Sequence, residues 1–74
     1  MEDNALINKK FATFITEKRI ALGLDLREFS KLIYGNRLRF SYIQKIEKGK
    51  INVNITTMEK ILKKLNCEFH IEEL

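Results

Sequence analysis

The side chains with the most distinctive chemistry in this sequence are the basic ones between residues 27 and 50. Seven residues of that span are Lys or Arg and only Glu28 and Glu47 are acidic, which gives the span a local charge of +5. The whole chain carries +4, and residues 66–74 contain acidic side chains but no Lys or Arg. Such a concentration of cations suits an anionic partner such as a nucleic acid, although a solvated basic surface has the same composition.

Residues that could support catalysis or bind a metal are few and scattered. His70 is the single imidazole and falls on the polar side of an alternating stretch, where a solvated histidine is expected, whereas Cys67 falls on its apolar side. One cysteine cannot form an internal disulfide, and together with one histidine it cannot complete a four-ligand zinc site. Gly23, Gly35 and Gly49 are spread along the chain rather than grouped in a phosphate-binding loop. We therefore expect a non-enzymatic protein without metal or cofactor.

The length of 74 residues predicts a single domain over residues 1–74, near the lower limit for independent folding. Without a disulfide or a metal, association with a second chain is the remaining source of stability. The composition, 45% apolar and 32% charged with no Pro, argues against disorder and favours helices. No run approaches the roughly 20 apolar residues of a membrane span. Because acidic Glu2 and Asp3 are also unlike a secretory signal, we expect a cytoplasmic protein with no membrane partner.

The helices that must position the basic residues follow from their cap residues and from apolar periodicity. A first helix is expected over residues 5–22. A second begins at Asp25, with Glu28 three residues later completing a capping box. A third, shorter helix ends at the last glycine. A fourth begins at Asn54 and ends at Asn66, which can adopt the left-handed conformation.

One apolar stripe on each helix is expected to face the core. The predicted stripes contain Ile7, Phe11, Phe14, Ile15 and Leu22 in the first helix, Leu26, Phe29, Leu32 and Ile33 in the second, Ile43 and Ile46 in the third, and Ile55, Met58, Ile61, Leu62 and Leu65 in the fourth.

The last part of the chain changes from helical to strand periodicity. Cys67, Phe69 and Ile71 alternate with polar residues over residues 67–72, as in a half-buried β-strand. A single strand has no backbone partner within a helical chain. Antiparallel pairing with the same strand of a second molecule supplies that partner and predicts a homodimer. A frayed tail is the alternative.

The second and third helices, over about residues 25–48, make a helix-turn-helix in the basic half of the chain. Such a pair places its second helix in a DNA major groove. Arg19 ahead of Gly23-Leu24, the apolar residues of 29–33 and above all residues 41–50, SYIQKIEKGK, carry a family resemblance. Through them the chain resembles the lambda-repressor-like, or XRE, helix-turn-helix family.

This resemblance covers residues 11–69 and implies a mainly α, lambda-repressor-like bundle of four helices. Within the family, the stretch of residues 54–71 looks most similar to HipB-like antitoxins, whose terminal strands pair across a dimer. That likeness agrees with the strand pairing expected from the alternating pattern. The resemblance also implies a semi-buried ion pair between Arg19 and Glu47, which ties the first helix to the end of the third.

Two features depart from the family pattern. The connection over residues 34–39 is about three residues longer than usual, which leaves the start of the third helix open. Asp25 and Leu26 stand where the family has a small polar cap and a phosphate-binding glutamine. Arg37 and Arg39 would restore positive charge near the DNA backbone.

The residues expected to contact DNA lie on the outward face of the third helix and just beside it. The candidates for reading base edges are Arg39, Phe40, Ser41, Gln44 and Lys45. The candidates for phosphate contacts are Arg37, Lys48, Lys50 and Asn52, with backbone amides after Gly49. Gln pairs with adenine, Arg or Lys with guanine, and Phe meets the thymine methyl group. A core position for Phe40, a capping role for Ser41 and a phosphate contact for Lys45 are the alternatives.

These residues predict a homodimeric transcriptional regulator that binds double-stranded DNA and represses by blocking access. Two alternatives remain open at this stage. One is an antitoxin that binds both DNA and a toxin protein. The other is a protein-interaction module that has lost DNA binding.

Overall fold

Four helices account for most of the part of the chain that the structure, a computed structural model, describes, residues 2–66. They are α1 (Glu2–Ala21), α2 (Leu26–Tyr34), α3 (Phe40–Glu47) and α4 (Ile55–Leu65). Their number and order are those expected from the sequence. No strand occurs within the described residues. The strand expected over residues 67–72, with Cys67, Phe69 and Ile71, lies outside them and stays a prediction.

Side-chain caps fix the starts of α2 and α4. Asp25 Oδ1 accepts the Glu28 N–H at 2.8 Å, and Glu28 Oε1 accepts the Asp25 N–H at 3.0 Å, so the predicted capping box is confirmed. Asn54 Oδ1 accepts the Thr57 N–H at 2.8 Å and caps α4, as predicted. Each cap of this kind stabilises a helix by about 1 kcal/mol.

Left-handed residues end the same two helices. Gly35 follows α2 with φ 82°, and its N–H donates to the Lys31 carbonyl at 2.9 Å. Asn66 follows α4 with φ 55° and ψ 46°, which confirms the conformation predicted for it. Glycine and asparagine tolerate this region better than other residues, so both helices stop where the sequence changes to them.

All four helices contribute to the core. The buried apolar residues are Phe11, Ala12 and Ile15 of α1, Phe29 and Ile33 of α2, Ile43 and Ile46 of α3, Met58 and Ile61 of α4, and Val53 from the segment before α4. Helix α3 packs against both α1 and α2, and α2 also contacts α4. The central place of α3 fixes its inward face while leaving the opposite face to solvent.

Three residues of the predicted core stripes are instead exposed: Leu22 by 53%, Leu32 by 43% and Ile55 by 55%. Leu22 lies beyond the last residue of α1, so the helical period no longer sets its direction. Leu32 lies about 100° around α2 from buried Ile33, at the margin of the stripe. Ile55 is the first residue of α4, and the first buried residue of that helix is Met58, three positions later.

A polar contact also joins the segment before α4 to α1. The Val53 N–H donates to Asn8 Oδ1 at 2.6 Å. This bond satisfies the backbone N–H of a buried residue that lies outside the helices.

Among the described helices, none has both the length and the apolar character needed to cross a membrane.

Candidate nucleic-acid interface

Helix α3 has one buried face and one exposed face. Ile43 and Ile46 are 0% and 1% exposed, as the sequence predicted. Ser41, Gln44 and Lys45 lie on the other side and are all exposed. The outward face of this eight-residue helix therefore presents a hydroxyl, an amide and an ammonium group to solvent.

The structure resolves where α3 begins. Arg39 is the N-cap residue, with φ −92° and ψ 14°, and Phe40 is the first residue of the helix. Ser41 is therefore the second helical residue, and the alternative that it caps the helix is wrong. The Arg39 side chain makes no capping hydrogen bond, so the backbone start of α3 depends on the turn that precedes it.

That longer turn is organised by a buried hydroxyl. Ser30 is 0% exposed, and its Oγ donates to the Asn36 carbonyl at 2.7 Å and accepts the Arg39 N–H at 3.1 Å. Asn36 Oδ1 in turn accepts the Leu38 N–H at 2.9 Å, the bond of an Asx-turn. Sequence reasoning missed Ser30 and Asn36, although a serine inside an apolar stripe and an asparagine four residues before the helix are recognisable signs of such bonds.

Phe40 is partly buried and packs against a cation of α2. The guanidinium carbon of Arg27 lies 4.1 Å from the centroid of the Phe40 ring. Such stacking is worth about 0.5–1 kcal/mol where the pair is exposed, and more where it is desolvated. It places the guanidinium of Arg27, which was not among the predicted site residues, beside the start of α3.

Tyr34, the last residue of α2, contacts two more cations. The guanidinium carbon of Arg39 and the ammonium nitrogen of Lys60 each lie 5.3 Å from its ring centroid. The Tyr42 ring packs at 6.4 Å with an interplanar angle of 64°. Burial raises the pKa of Tyr34, Tyr42 raises it further, and the positive charge of Arg39 opposes them. Arg39 is thus held at the turn, and Lys60 brings a charge from α4 that the sequence pattern did not assign to the site.

Lys48, Lys50 and Asn52 are exposed just after α3, and Arg37 is exposed just before it. The amides expected to help them bind phosphate are partly occupied. The Gly49 N–H donates to the Ile46 carbonyl at 3.0 Å and the Lys50 N–H to the Lys45 carbonyl at 2.9 Å. These bonds close the end of α3, so the side chains, rather than those two amides, are available to an anion.

Arg19 and Glu47 form a two-pronged ion pair between α1 and the last residue of α3. Arg19 Nε donates to Glu47 Oε2 at 2.8 Å and Nη2 to Oε1 at 3.1 Å, while Nη1 donates to the Leu24 carbonyl at 3.0 Å. The hydrogen bond to Glu47 raises the pKa of Arg19. The pair neutralises the one carboxylate of α3 and fixes the end of the helix relative to α1.

Comparison with known proteins adds one finding. The model of a helix-turn-helix family matches residues 15–71, a span that contains α2, the turn and α3 entirely. No curated protein and no solved structure matches the chain.

Proposed function

The chain belongs to the XRE-type helix-turn-helix family, and from this we propose that it is a sequence-specific DNA-binding transcriptional regulator that acts as a homodimeric repressor. The observation that carries the proposal is the exposed face of α3, with Ser41, Gln44 and Lys45 directed to solvent while the opposite face is buried. An α-helix of this kind fits the major groove, where its polar side chains reach the base edges.

In this proposal the side chains of α3 and of its N-cap residue contact the bases. Gln44 pairs with an adenine, and Lys45 or Arg39 donates to a guanine. The Phe40 ring, with one side taken by Arg27, offers its exposed part to a thymine methyl group.

Side chains before and after α3 contact the phosphate backbone of the DNA in this proposal. Arg37 contributes from the turn, and Lys48, Lys50 and Asn52 contribute from the segment after the helix. Contacts of this type set orientation and strengthen binding to every sequence alike. The Arg19–Glu47 pair supports the site without touching DNA, because its hydrogen bonds within the chain already use both side chains.

The proposed homodimer pairs residues 67–72 of two chains through Cys67, Phe69 and Ile71. Two copies of α3 then meet half-sites about 10 to 10.5 base pairs apart, centre to centre, or a multiple of that. Binding in the cytoplasm to such a two-fold operator represses by blocking access. The likeness of residues 54–71 to HipB-like antitoxins supports a second candidate, an antitoxin that also binds a toxin protein.

The test is selection of duplexes from a random pool by the full chain, followed by titration at several salt concentrations. Gln44→Ala is expected to weaken binding to the selected duplex by about 1–3 kcal/mol and to relax the choice of base at one position in each half-site. Lys48→Ala is expected to weaken binding to all duplexes and to lower the slope of log affinity against log salt by about one unit.

Lys10→Ala is the matched control, because it removes the same charge from an exposed position of α1. It should leave unchanged both the base preference and the slope of log affinity against log salt. If the chain enriches no duplex and neither Gln44→Ala nor Lys48→Ala alters affinity or salt slope, the DNA-binding proposal fails and an interaction module takes its place.

A further inference from the structure

Leu38 is the most exposed of the large apolar residues for which the structure gives an exposure. It is 84% exposed, compared with 43–64% for the other large apolar side chains on the surface. It lies in the turn between α2 and α3, one residue before the N-cap Arg39. A leucine in this environment gains nothing from its surroundings in the free protein.

Hydrogen bonds fix the backbone that carries the exposed Leu38 side chain. The Leu38 N–H donates to Asn36 Oδ1 at 2.9 Å, and the next N–H, that of Arg39, donates to the buried Ser30 hydroxyl at 3.1 Å. The turn therefore presents the leucine in one direction. The backbone of the turn needs little further ordering when a partner covers the side chain, which lowers the entropy lost on contact.

A local structural role for Leu38 is excluded by its exposure. An apolar residue just before an N-cap commonly packs against the fourth helical residue as a hydrophobic staple. That residue is Ile43, which is fully buried in the core while Leu38 remains in solvent. The leucine therefore does not close the start of α3.

The charges around Leu38 indicate which partner covers it. Arg37 and Arg39 flank it directly, and Arg27 stacks on Phe40 at the same end of α3. An apolar protein surface would have to desolvate these cations, whereas DNA offers phosphates to them. The N-terminal end of a recognition helix is also the part that reaches the base edges.

We propose that Leu38 is a specificity residue that packs against the C5 methyl group of a thymine in the major groove, beside the bases read by α3. This inference rests on the proposed function, since it requires α3 to enter the groove. The thymine methyl is the apolar group that the major groove displays, and an apolar side chain recognises it by contact rather than by hydrogen bonding.

The experiment uses the duplex that the unmodified full chain enriches from a random pool. Each thymine of one half-site is replaced in turn by deoxyuridine, which removes only the methyl group. At the thymine that Leu38 contacts, which is distinct from the thymine assigned to Phe40, the unmodified chain is expected to lose about fourfold in affinity, the ratio for one buried methyl group. Leu38→Ala should bind the original duplex about fourfold or more weakly and should be indifferent to deoxyuridine at that position.

Leu6→Ala is the control, because it shortens another exposed leucine, on α1. It should retain both the affinity and the sensitivity to deoxyuridine. If Gln44→Ala weakens binding but Leu38→Ala does not, or if Leu38→Ala weakens binding while deoxyuridine still lowers its affinity at every position where it lowers that of the unmodified chain, the assignment of Leu38 is wrong and the DNA-binding function stands. If the unmodified chain enriches no duplex, the proposed function fails and this assignment fails with it.

Discussion

Removing the guanidinium of Arg19 should destabilise the fold far more than removing a neighbouring exposed charge. The Arg19 and Glu47 side chains are only 19% and 9% exposed. Breaking a fully buried pair costs about 3–5 kcal/mol, and breaking an exposed one about 0.2–1 kcal/mol. Because Glu47 would remain largely desolvated without its partner, we expect Arg19→Met to lower the free energy of unfolding by about 2–4 kcal/mol. Methionine keeps the apolar stem, so the loss reports on the guanidinium.

The assay is thermal and urea unfolding followed by circular dichroism at one fixed protein concentration, since self-association would shift the midpoint. A loss of this size lowers the melting temperature by roughly 8 °C or more in a chain of this length. Lys18→Met is the control, because Lys18 is exposed in the same helical turn and its side chain makes one described contact, with the ammonium 5.9 Å from the centroid of the Phe14 ring.

A double variant separates the pair from its surroundings. Arg19→Met combined with Glu47→Met removes the unpaired carboxylate, so it should be less destabilised than the two single changes added together. Equal melting temperatures for Arg19→Met and Lys18→Met, or strict additivity in the double variant, would refute the reasoning.

Three further predictions concern the turn, the tyrosine pair and the terminal segment. Ser30→Ala should cost about 1–3 kcal/mol in urea unfolding because it removes two hydrogen bonds of the turn, whereas a Ser41→Ala control should be nearly neutral. With its pKa raised by burial, Tyr34 favours the folded state while neutral, and this stabilisation is lost as the pH rises through the folded-state value. In an ultraviolet titration, Tyr34→Phe should remove a tyrosine signal that ionises above the ordinary tyrosine pKa. Deleting residues 67–74 should convert the proposed dimer to a monomer by sedimentation; a truncated chain that still sediments as a dimer would place the interface elsewhere.

The features that the sequence predicted correctly are those governed by local chemistry or by strict periodicity. The cap at Asp25 needs a carboxylate three residues before Glu28, and both residue types are visible in the sequence. The inward positions Ile43 and Ile46 follow from a three-residue step on a short helix. In both cases neighbours within one or two helical turns set the outcome.

Apart from the turn bonds of Ser30 and Asn36, the contacts that the sequence did not predict join distant segments. Lys60 reaches Tyr34 only because α4 packs against α2. Asn8 meets the Val53 N–H across 45 positions of chain. Neither contact leaves a periodic or a local pattern, so no reading of single residues could have assigned them.

The acidic start of α2 now has a structural reason that also bears on the proposed DNA contacts. Asp25 and Glu28 satisfy each other's backbone amides, and Leu26 packs against the core, so this end of α2 is specialised for folding. The family's phosphate-binding glutamine is absent from that end. The turn that follows α2 carries Arg37 and Arg39 on a backbone organised by Ser30. The longer turn thus provides, next to α3, positive charge that the start of α2 lacks, and we infer that the backbone contact has moved from the helix to the turn.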